Sequence, residues 1–323
     1  MFKTRALLCA SVALALQAFA ATAPAQTYPA KPVRLIVPFP PGGSNDIVGR
    51  LMAAELTEKL GKQVVVDNRG GAGGVLGTEL AASADPDGHT LLIISVAYAF
   101  NPAMYKLRFN PETAFVPISI LGSGPNALTV NPKLPVSTAK DLIALAKAQP
   151  GKLNYASSGV GSFQHLGSEL FRIMAGINVV HVPFKGGGPA MADVIAGNTE
   201  ICLGSLIQMI PHVDNKRLKL LGIGGKNRAK VYPNVPTIAE SGLPGYDASN
   251  WWGLLAPAKT PKPVVDRLRA ETAKILAQPE LQKKFEGQGA ETVKMSPDEF
   301  GRFIKTEMVK WGKVVKEAGI KAE

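Results

Sequence analysis

The stretch Val37-Pro38-Phe39-Pro40-Pro41-Gly42-Gly43-Ser44-Asn45-Asp46-Ile47-Val48-Gly49-Arg50 joins a short apolar segment, residues 33–37, to an amphipathic one. The prolines fix φ and stiffen the connection, whereas Gly42 and Gly43 carry no Cβ and let backbone N–H groups approach a bound group closely. A strand, a glycine turn and a helix N-terminus in this order can bind an anion. An ordinary strand-to-helix connection without a ligand has the same pattern, so this stretch alone leaves both interpretations open.

The amphipathic segment predicts a helix that begins near Ser44 and ends before Gly61. Ser44 is of the residue type that caps helix N-termini, and a glycine after Leu60 is a common end signal. Ile47, Leu51 and Ala54 would fall on one face at helical spacing, with Val48 and Met52 beside them. We therefore expect Ser44 to cap this helix and the face around Ile47 to be buried.

The first residues of the chain have the pattern of an export signal. Lys3 and Arg5 precede an apolar run, residues 6–16, and small residues lead to Ala23-Pro24-Ala25. A membrane-spanning helix needs about 20 apolar residues, which this run does not supply. Residues 1–25 are therefore predicted to be a signal peptide cleaved near Ala25, so that the mature chain is exported.

The chain is basic, with 36 Lys and Arg against 25 Asp and Glu and a net charge of +11. These cations are dispersed along predicted helix faces and form no long basic block, which argues against nucleic-acid binding. A basic exported protein attracts anionic ligands by long-range steering. Once the signal is removed Cys202 is the only cysteine, so no intramolecular disulfide is possible, and its apolar neighbours predict an inert buried thiol.

Strands and helices alternate along the whole chain, which predicts an α/β fold. Strands are expected near residues 90–96, 116–121 and 127–130, and a second unit of the same kind follows from about residue 137. Both units repeat a strand, a glycine-rich loop and a helix. A final helix from Pro297 is predicted by the capping box that Ser296 and Glu299 form, with an apolar stripe that includes Trp311.

Signatures of catalysis and of cofactor binding are missing from the sequence. The glycine run at residues 71–77 has the wrong spacing for a dinucleotide loop, and there is no Walker A motif and no G-x-S-x-G motif. The histidines, His89, His165, His181 and His212, lack metal-ligand spacing. We expect a protein that is not an enzyme and that uses no cofactor and no metal; an exported α/β enzyme is the weaker alternative.

Several blocks resemble one family in order and spacing over essentially the whole mature chain. They are the Pro-Phe-Pro-Pro-Gly-Gly stretch above, Asp67-Asn68-Arg69 with residues 71–77, Asp85-Pro86-Asp87-Gly88, Asn154-Tyr155-Ala156-Ser157-Ser158-Gly159, His165, Val182-Pro183-Phe184-Lys185-Gly186, residues 233–237 and Trp252-Gly253-Leu254. The chain is similar in these blocks to the periplasmic substrate-binding proteins of tripartite tricarboxylate transporters, or Bug receptors. It departs at His89 and Phe184, where tyrosine is common, and at Gly204-Ser205, where an acidic residue is frequent.

This resemblance implies a two-domain type II periplasmic-binding-protein clamshell with a ligand cleft at the hinge. Domain 1 would combine residues 28–126 with 250–323, and domain 2 would be residues 127–249. The chain would be a monomeric receptor that binds a small organic acid (a mono- or dicarboxylate, an amino acid or an aromatic carboxylate) and delivers it to a large and a small membrane subunit. A receptor used for signalling would share the same site and stays an alternative.

The candidate ligand-binding residues lie in the glycine-rich loops and at nearby strand ends. They are Phe39, Pro41, Gly42, Gly43, Ser44, Asp46, Ala72, Gly73, Ser95, Ala97, Ser157, Ser158, Gly161, Ser162, His165, Phe184, Lys185, Gly186, Gly187 and Ser205. Because Lys185 is the only cation in the predicted pocket loops, we expect backbone N–H groups and hydroxyls to hold a ligand carboxylate. Asp46 has two open roles, capping its own loop or binding a polar group of the ligand.

Overall fold

The computed structural model describes residues 28–317, 319 and 320 of the 323-residue chain. The predicted signal peptide, residues 1–25, lies outside these residues. Within the described part, no helix combines the length and the apolar character that crossing a membrane requires.

The described residues form nine strands and ten α-helices, numbered here along the chain. The strands are β1 (Val33–Val37), β2 (Val64–Asn68), β3 (Thr90–Ser95), β4 (Phe115–Val130), β5 (Asn154–Ser157), β6 (Val180–Pro183), β7 (Ile201–Ser205), β8 (Lys219–Ile223) and β9 (Ser249–Pro257). The helices are α1 (Ser44–Leu60), α2 (Val75–Ala82), α3 (Ala97–Met104), α4 (Ala139–Ala148), α5 (Phe163–Ala175), α6 (Gly187–Ala196), α7 (Leu206–Asp214), α8 (Lys262–Leu276), α9 (Pro279–Gly287) and α10 (Pro297–Glu317).

The strands form one curled sheet in the order β2-β1-β3-β9-β4-β7-β5-β6, with β8 also paired to β4. The pairs β1–β2, β1–β3, β5–β6 and β5–β7 are parallel, and the pairs that involve β4 or β9 are antiparallel. Parallel neighbours need crossover connections, which the helices supply. The predicted α/β class is confirmed.

The long strand β4 lies in the middle of the sheet and connects its two parts. Its first part pairs with β9, and its last five residues, from Asn126 to Val130, pair with β7 and β8. The sequence predicts two separate strands here, near residues 116–121 and 127–130. The structure shows one strand instead. A Cβ at Gly122 would lie 2.6 Å from the carbonyl oxygen of Glu291, so this glycine permits close packing and makes no turn.

Helix α1 buries a stripe one position away from the predicted one. Val48, Met52 and Leu56 are fully buried against the sheet, whereas Ile47 and Leu51 are only partly buried. Val48, Met52 and Leu56 keep the spacing of one helix face, so the predicted helical periodicity is confirmed, whereas the predicted buried face is wrong by one position. The packing of the helix on β1 and β3, which the sequence does not specify locally, decides the phase.

Three other sequence predictions have clear outcomes. In α10 the capping box is present, because the Ser296 N–H donates to Glu299 at 2.8 Å and the Glu299 N–H to Ser296 at 3.3 Å. Trp311 is buried and donates to Glu307, as a packing residue should. Cys202 is fully buried, and burial raises the pKa of its thiol to about 12.

Helices α3 and α7 were not predicted, since each contains a proline, Pro102 or Pro211, that normally marks a helix end. Tertiary packing holds both helices. Phe100 of α3 meets Trp311 edge to face at 5.4 Å, and Met209 of α7 is fully buried.

Candidate functional site

Four helices begin around one small cavity. Helix α1 follows β1, and α5, α6 and α7 follow β5, β6 and β7. The cavity measures about 30 Å³. It is lined by Phe39, Gly43, Ser44, Asn45, Ser95, Ser158, Phe163, Gln164, Gly187, Ser205, Gln208 and Asn250.

The first N–H groups of each helix have no partner within the helix, and each N-terminus carries about half a positive charge. Residues from the first turn or N-cap of α1, α5, α6 and α7 line the cavity, while its lining contains no charged side chain. The site therefore offers positive potential without a cation, which suits a small anion.

The loop before α1 is shaped by Asp46. Its carboxylate accepts hydrogen bonds from the Gly42 N–H at 3.0 Å, from Arg50 at 3.0 Å and from Asn68 at 2.9 Å. Burial raises the pKa of this carboxyl, but the three hydrogen bonds outweigh it and hold the pKa below its ordinary value. Asp46 does not line the cavity, and these contacts match the loop-capping alternative.

The expected capping role of Ser44 is wrong. The residue before the helix is Gly43, and no side chain caps this end. The Ser44 hydroxyl instead accepts hydrogen bonds from Ser205 at 3.2 Å and from Asn250 at 3.4 Å. No side-chain cap therefore occupies the N–H groups at the start of α1.

Asn250 connects the hydroxyls of Ser44 and Ser205 to the sheet. Its side chain donates to Ser205 at 3.1 Å and accepts from the backbone N–H groups of Val96 and Trp251 at 3.3 and 3.0 Å. It is 1% exposed. Its hydrogen bonds join the ends of β3, β7 and β9 where these strands meet the cavity.

The elements on the two sides of the cavity are in contact. The Tyr105 hydroxyl donates to the carbonyl oxygen of Val160 at 2.8 Å. A Cβ at Gly186 would lie 2.8 Å from Pro40, and one at Gly73 would lie 2.8 Å from the carbonyl oxygen of Gly161. Glycines therefore let the two sides approach to backbone contact.

The structure brings part of the predicted residue set together. The predicted residues that line the cavity are Phe39, Gly43, Ser44, Ser95, Ser158, Gly187 and Ser205. Gly73 and Ala97 line a smaller cavity next to it, together with Phe39 and Ser95.

The remaining predicted residues lie around the cavities and do not line them. Pro41, Gly42, Ala72 and Lys185 are exposed, and Phe184 is half-buried. The others, Asp46, Ser157, Gly161, Ser162, His165 and Gly186, are buried and shape the loops. Ser162, for example, caps α5 by accepting a hydrogen bond from the His165 N–H at 3.2 Å.

Five lining residues were not predicted: Asn45, Phe163, Gln164, Gln208 and Asn250. Asn45 and Gln164 follow predicted residues by one or two positions, and the first turn of each helix could have been included on that ground. Gln208 belongs to an unpredicted helix. Asn250 carries no local signal beyond its place before a strand.

A buried aromatic stack supports the loop that carries Ser158. The His181 ring lies between the rings of Tyr155 and His165, with centroid distances of 4.8 and 4.3 Å. Its Nε2 lies 2.6 Å from the Ser157 hydroxyl. Burial, together with the charge of His165, lowers the pKa of His181 to about 4, against a weaker opposing effect of Glu169.

This lowered pKa predicts a loss of stability in mild acid. Below about pH 6.5 His181 takes up a proton in the unfolded chain, whereas in the folded chain it stays neutral until about pH 4. The stability of the folded chain therefore falls as the pH drops from about 6.5 to about 4, and His181 does not affect it above that range. Thermal midpoints between pH 7 and 5 should therefore fall less steeply for His181→Gln than for the natural chain. His212, whose pKa burial also lowers, accounts for part of the remaining slope. Identical slopes would contradict the prediction.

The curled two-part α/β sheet and an uncharged, anion-suited cavity between its parts define a solute-binding protein of the periplasmic-binding-protein class. The family model described as "Tripartite tricarboxylate transporter family receptor" matches residues 48–320, and the chain belongs to this family. The resemblance found in the sequence is thereby confirmed.

Known proteins agree with this membership. Protein BugT of Bordetella pertussis is 37% identical over 327 residues, which cover 99% of each chain. The solved structure of Rpa4515 from R. palustris with adipate is 34% identical, with a TM-score of 0.88 over 91% of this chain and 99% of that one. MatC from Rhodopseudomonas palustris with bound malate is 30% identical, with a TM-score of 0.84 over 89% and 100% of the two chains.

Proposed function

We propose that this chain is a periplasmic receptor that binds a small organic acid and delivers it to the large and small membrane subunits of a tripartite tricarboxylate-type transporter. The observation that carries the proposal is the meeting of four helix N-termini at one polar cavity without charged lining residues. A few charge-assisted hydrogen bonds, each about 1.5 to 3 kcal/mol, hold a carboxylate there without an arginine.

The cavity narrows the ligand class. No carboxylate side chain lines it, and the nearby carboxylate of Asp46 is engaged by Gly42, Arg50 and Asn68. An amino acid would therefore bring an ammonium group without an anionic partner, which costs binding energy. Phe39 and Phe163 offer apolar surface to a carbon skeleton. Malate and adipate, the molecules present in two related structures, are acids without an ammonium group and support this choice.

Ligand entry requires the two sides to separate. A cavity of about 30 Å³ is far smaller than the hundreds of Å³ of ordinary ligand sites. We place the division between the domains at the crossings of β4 and β9, so that residues 28–126 with 250–323 and residues 127–249 move as two bodies about a hinge. The close approach of Gly73 to the Gly161 backbone and that of Gly186 to the Pro40 ring would open with it.

We infer that the receptor turns nothing over, because the cavity lining contains no titratable side chain that could serve as general acid or base. A signalling receptor would use the same cavity. Capture of the membrane subunits by the tagged protein distinguishes transport from signalling.

A thermal-shift panel of monocarboxylates, dicarboxylates, aromatic acids and amino acids tests the ligand class. At 100 times Kd, a ligand adds about 2.7 kcal/mol to stability. That corresponds to a shift of several degrees for a chain of this size. Responses confined to amino acids or to neutral and cationic compounds would contradict the proposal.

Lys185→Met is expected to change the affinity for the best acid by less than about fivefold, because exposed charge pairs contribute roughly 0 to 1 kcal/mol. Lys185 is exposed and does not line the cavity. Titration calorimetry measures the effect. Abolished binding would show that a direct ion pair, and not the helix N-termini, holds the ligand.

A further inference from the structure

Two glutamines meet in the cavity, Gln164 from the first turn of α5 and Gln208 from α7. Each side chain is 4% exposed. The Gln164 Nε2 donates to the Gln208 Oε1 at 3.4 Å, a long hydrogen bond. Among the described residues, the Gln164 Oε1 and the Gln208 Nε2 have no hydrogen-bond partner. The pair therefore has one unused acceptor and one unused donor at the cavity.

This result does not depend on how the two amides are oriented. Rotating both by 180° exchanges nitrogen for oxygen and again leaves one donor and one acceptor. Rotating only one would set two nitrogens or two oxygens against each other and lose the hydrogen bond between the glutamines. A buried polar atom without a partner destabilises the protein, so a ligand group that hydrogen-bonds to both atoms binds more tightly than one that bonds to neither.

Two glycines make room for the amides. A Cβ at Gly187 would lie 2.7 Å from the Gln208 Nε2, and one at Gly204 would lie 2.7 Å from the Gln164 Nε2. Both distances are shorter than real Cβ contacts. Glycine at both positions therefore leaves space for the two amides where they lie.

We propose that Gln164 and Gln208 select a hydroxyl group on the ligand, so that the receptor prefers hydroxycarboxylates to the same acids without the hydroxyl; this inference rests on the proposed function. A hydroxyl oxygen donates one hydrogen bond and accepts others, which matches the unused acceptor and donor. A carboxylate only accepts and an ammonium only donates, so neither matches the pair. A methylene in the same place would leave both amide atoms unpaired.

Malate and succinate test the assignment, because they have the same carbon chain and charge and differ by one hydroxyl. Calorimetry is done with both malate enantiomers and with succinate on the natural chain and on Gln164→Met, Gln208→Met and the double variant. Gln63→Met, an exposed site before β2, is the control. We expect the better malate to bind at least about tenfold tighter than succinate to the natural chain and the control. In the double variant the ratio should fall below about threefold while succinate affinity stays nearly constant, and each single variant, which keeps one amide, should give an intermediate ratio.

Equal binding of malate and succinate to the natural chain would overturn the role of the pair and leave the proposed function intact. An equal loss for both acids in the variants, with a lower thermal midpoint without ligand, would show a structural role instead. We expect a higher midpoint for the double variant, because it removes both unpaired amide atoms, whereas each single variant leaves the remaining glutamine without its partner. No binding by these or any other carboxylates would overturn the proposed function and the pair with it.

Discussion

Gly188→Trp is expected to reduce the affinity for the best carboxylate at least about 100-fold, or about 2.7 kcal/mol. Gly188 lies in the first turn of α6, and a Cβ there would be 3.3 Å from the carbonyl oxygen of Pro41 on the other side of the cavity. Backbone cannot rotate away as a side chain can, so an indole at this position holds the two sides apart. A ligand that must touch both sides then loses half of its contacts.

We expect Gly188→Trp to leave the fold of each side of the cavity unchanged. Gly188 is not among the glycines with positive φ, so a side chain meets no backbone strain at this position. We expect an unchanged thermal midpoint without ligand and a larger radius of gyration in small-angle scattering. Gly312→Trp in α10 is the matched control, because nothing lies within 4 Å of its Cβ position. Unchanged affinity in Gly188→Trp would show that binding does not need this closed arrangement.

Asn250→Asp is expected to weaken carboxylate binding by about two orders of magnitude with little change of shape. Two unit charges 5 Å apart repel by about 3 kcal/mol at an effective dielectric constant of 20. Asn250 is 1% exposed on the cavity wall, so solvent screens the new charge poorly. Its oxygen already accepts from the Val96 and Trp251 N–H groups, and the hydroxyls of Ser44 and Ser205 can turn to donate to a carboxylate.

The hydrogen-bond partners around position 250 thus stabilise asparagine and aspartate alike. The main change in Asn250→Asp is therefore the sign of the electrostatic potential at the cavity. Asn110→Asp is the control, because that exposed side chain caps a turn through its oxygen and keeps this contact as aspartate. Calorimetry with a dicarboxylate measures both variants. A loss of affinity as large in Asn110→Asp would indicate a general charge effect. Full affinity in Asn250→Asp would place the ligand carboxylate away from this wall.

The loops of the site could be predicted from the sequence because their conformations depend on residues close together in the chain. Prolines, glycines and a following helix mark three loops in the sequence. These are the loop from Phe39 to Ser44, the serine loop before α5 and the glycine loop before α6. The backbone conformations that these residues favour depend on the nearest neighbours in the chain. The helix N-termini that suit an anion were therefore found from the sequence, and so was the family.

The individual side chains at the site were predicted less well. Ser162 and Asp46 have the right chemistry for a ligand, but Ser162 caps α5 and Asp46 closes its own loop. Lys185 carries the positive charge that attracts a carboxylate, but it is exposed and does not line the cavity. Whether a polar side chain contacts the chain or a ligand depends on which partners the fold brings within hydrogen-bond distance.

The sequence by itself determined the alternation of strands and helices, the glycine turns and the ends of most helices, because each of these depends on residues a few positions apart. Only the tertiary structure decided that β4 is continuous, that Asn250 reaches Ser44 and Ser205, and that Gln164 meets Gln208. Asn250 and Ser44 are 206 positions apart in the chain. No local preference encodes such a contact, since it exists only once the packed strands bring distant helix N-termini to one cavity.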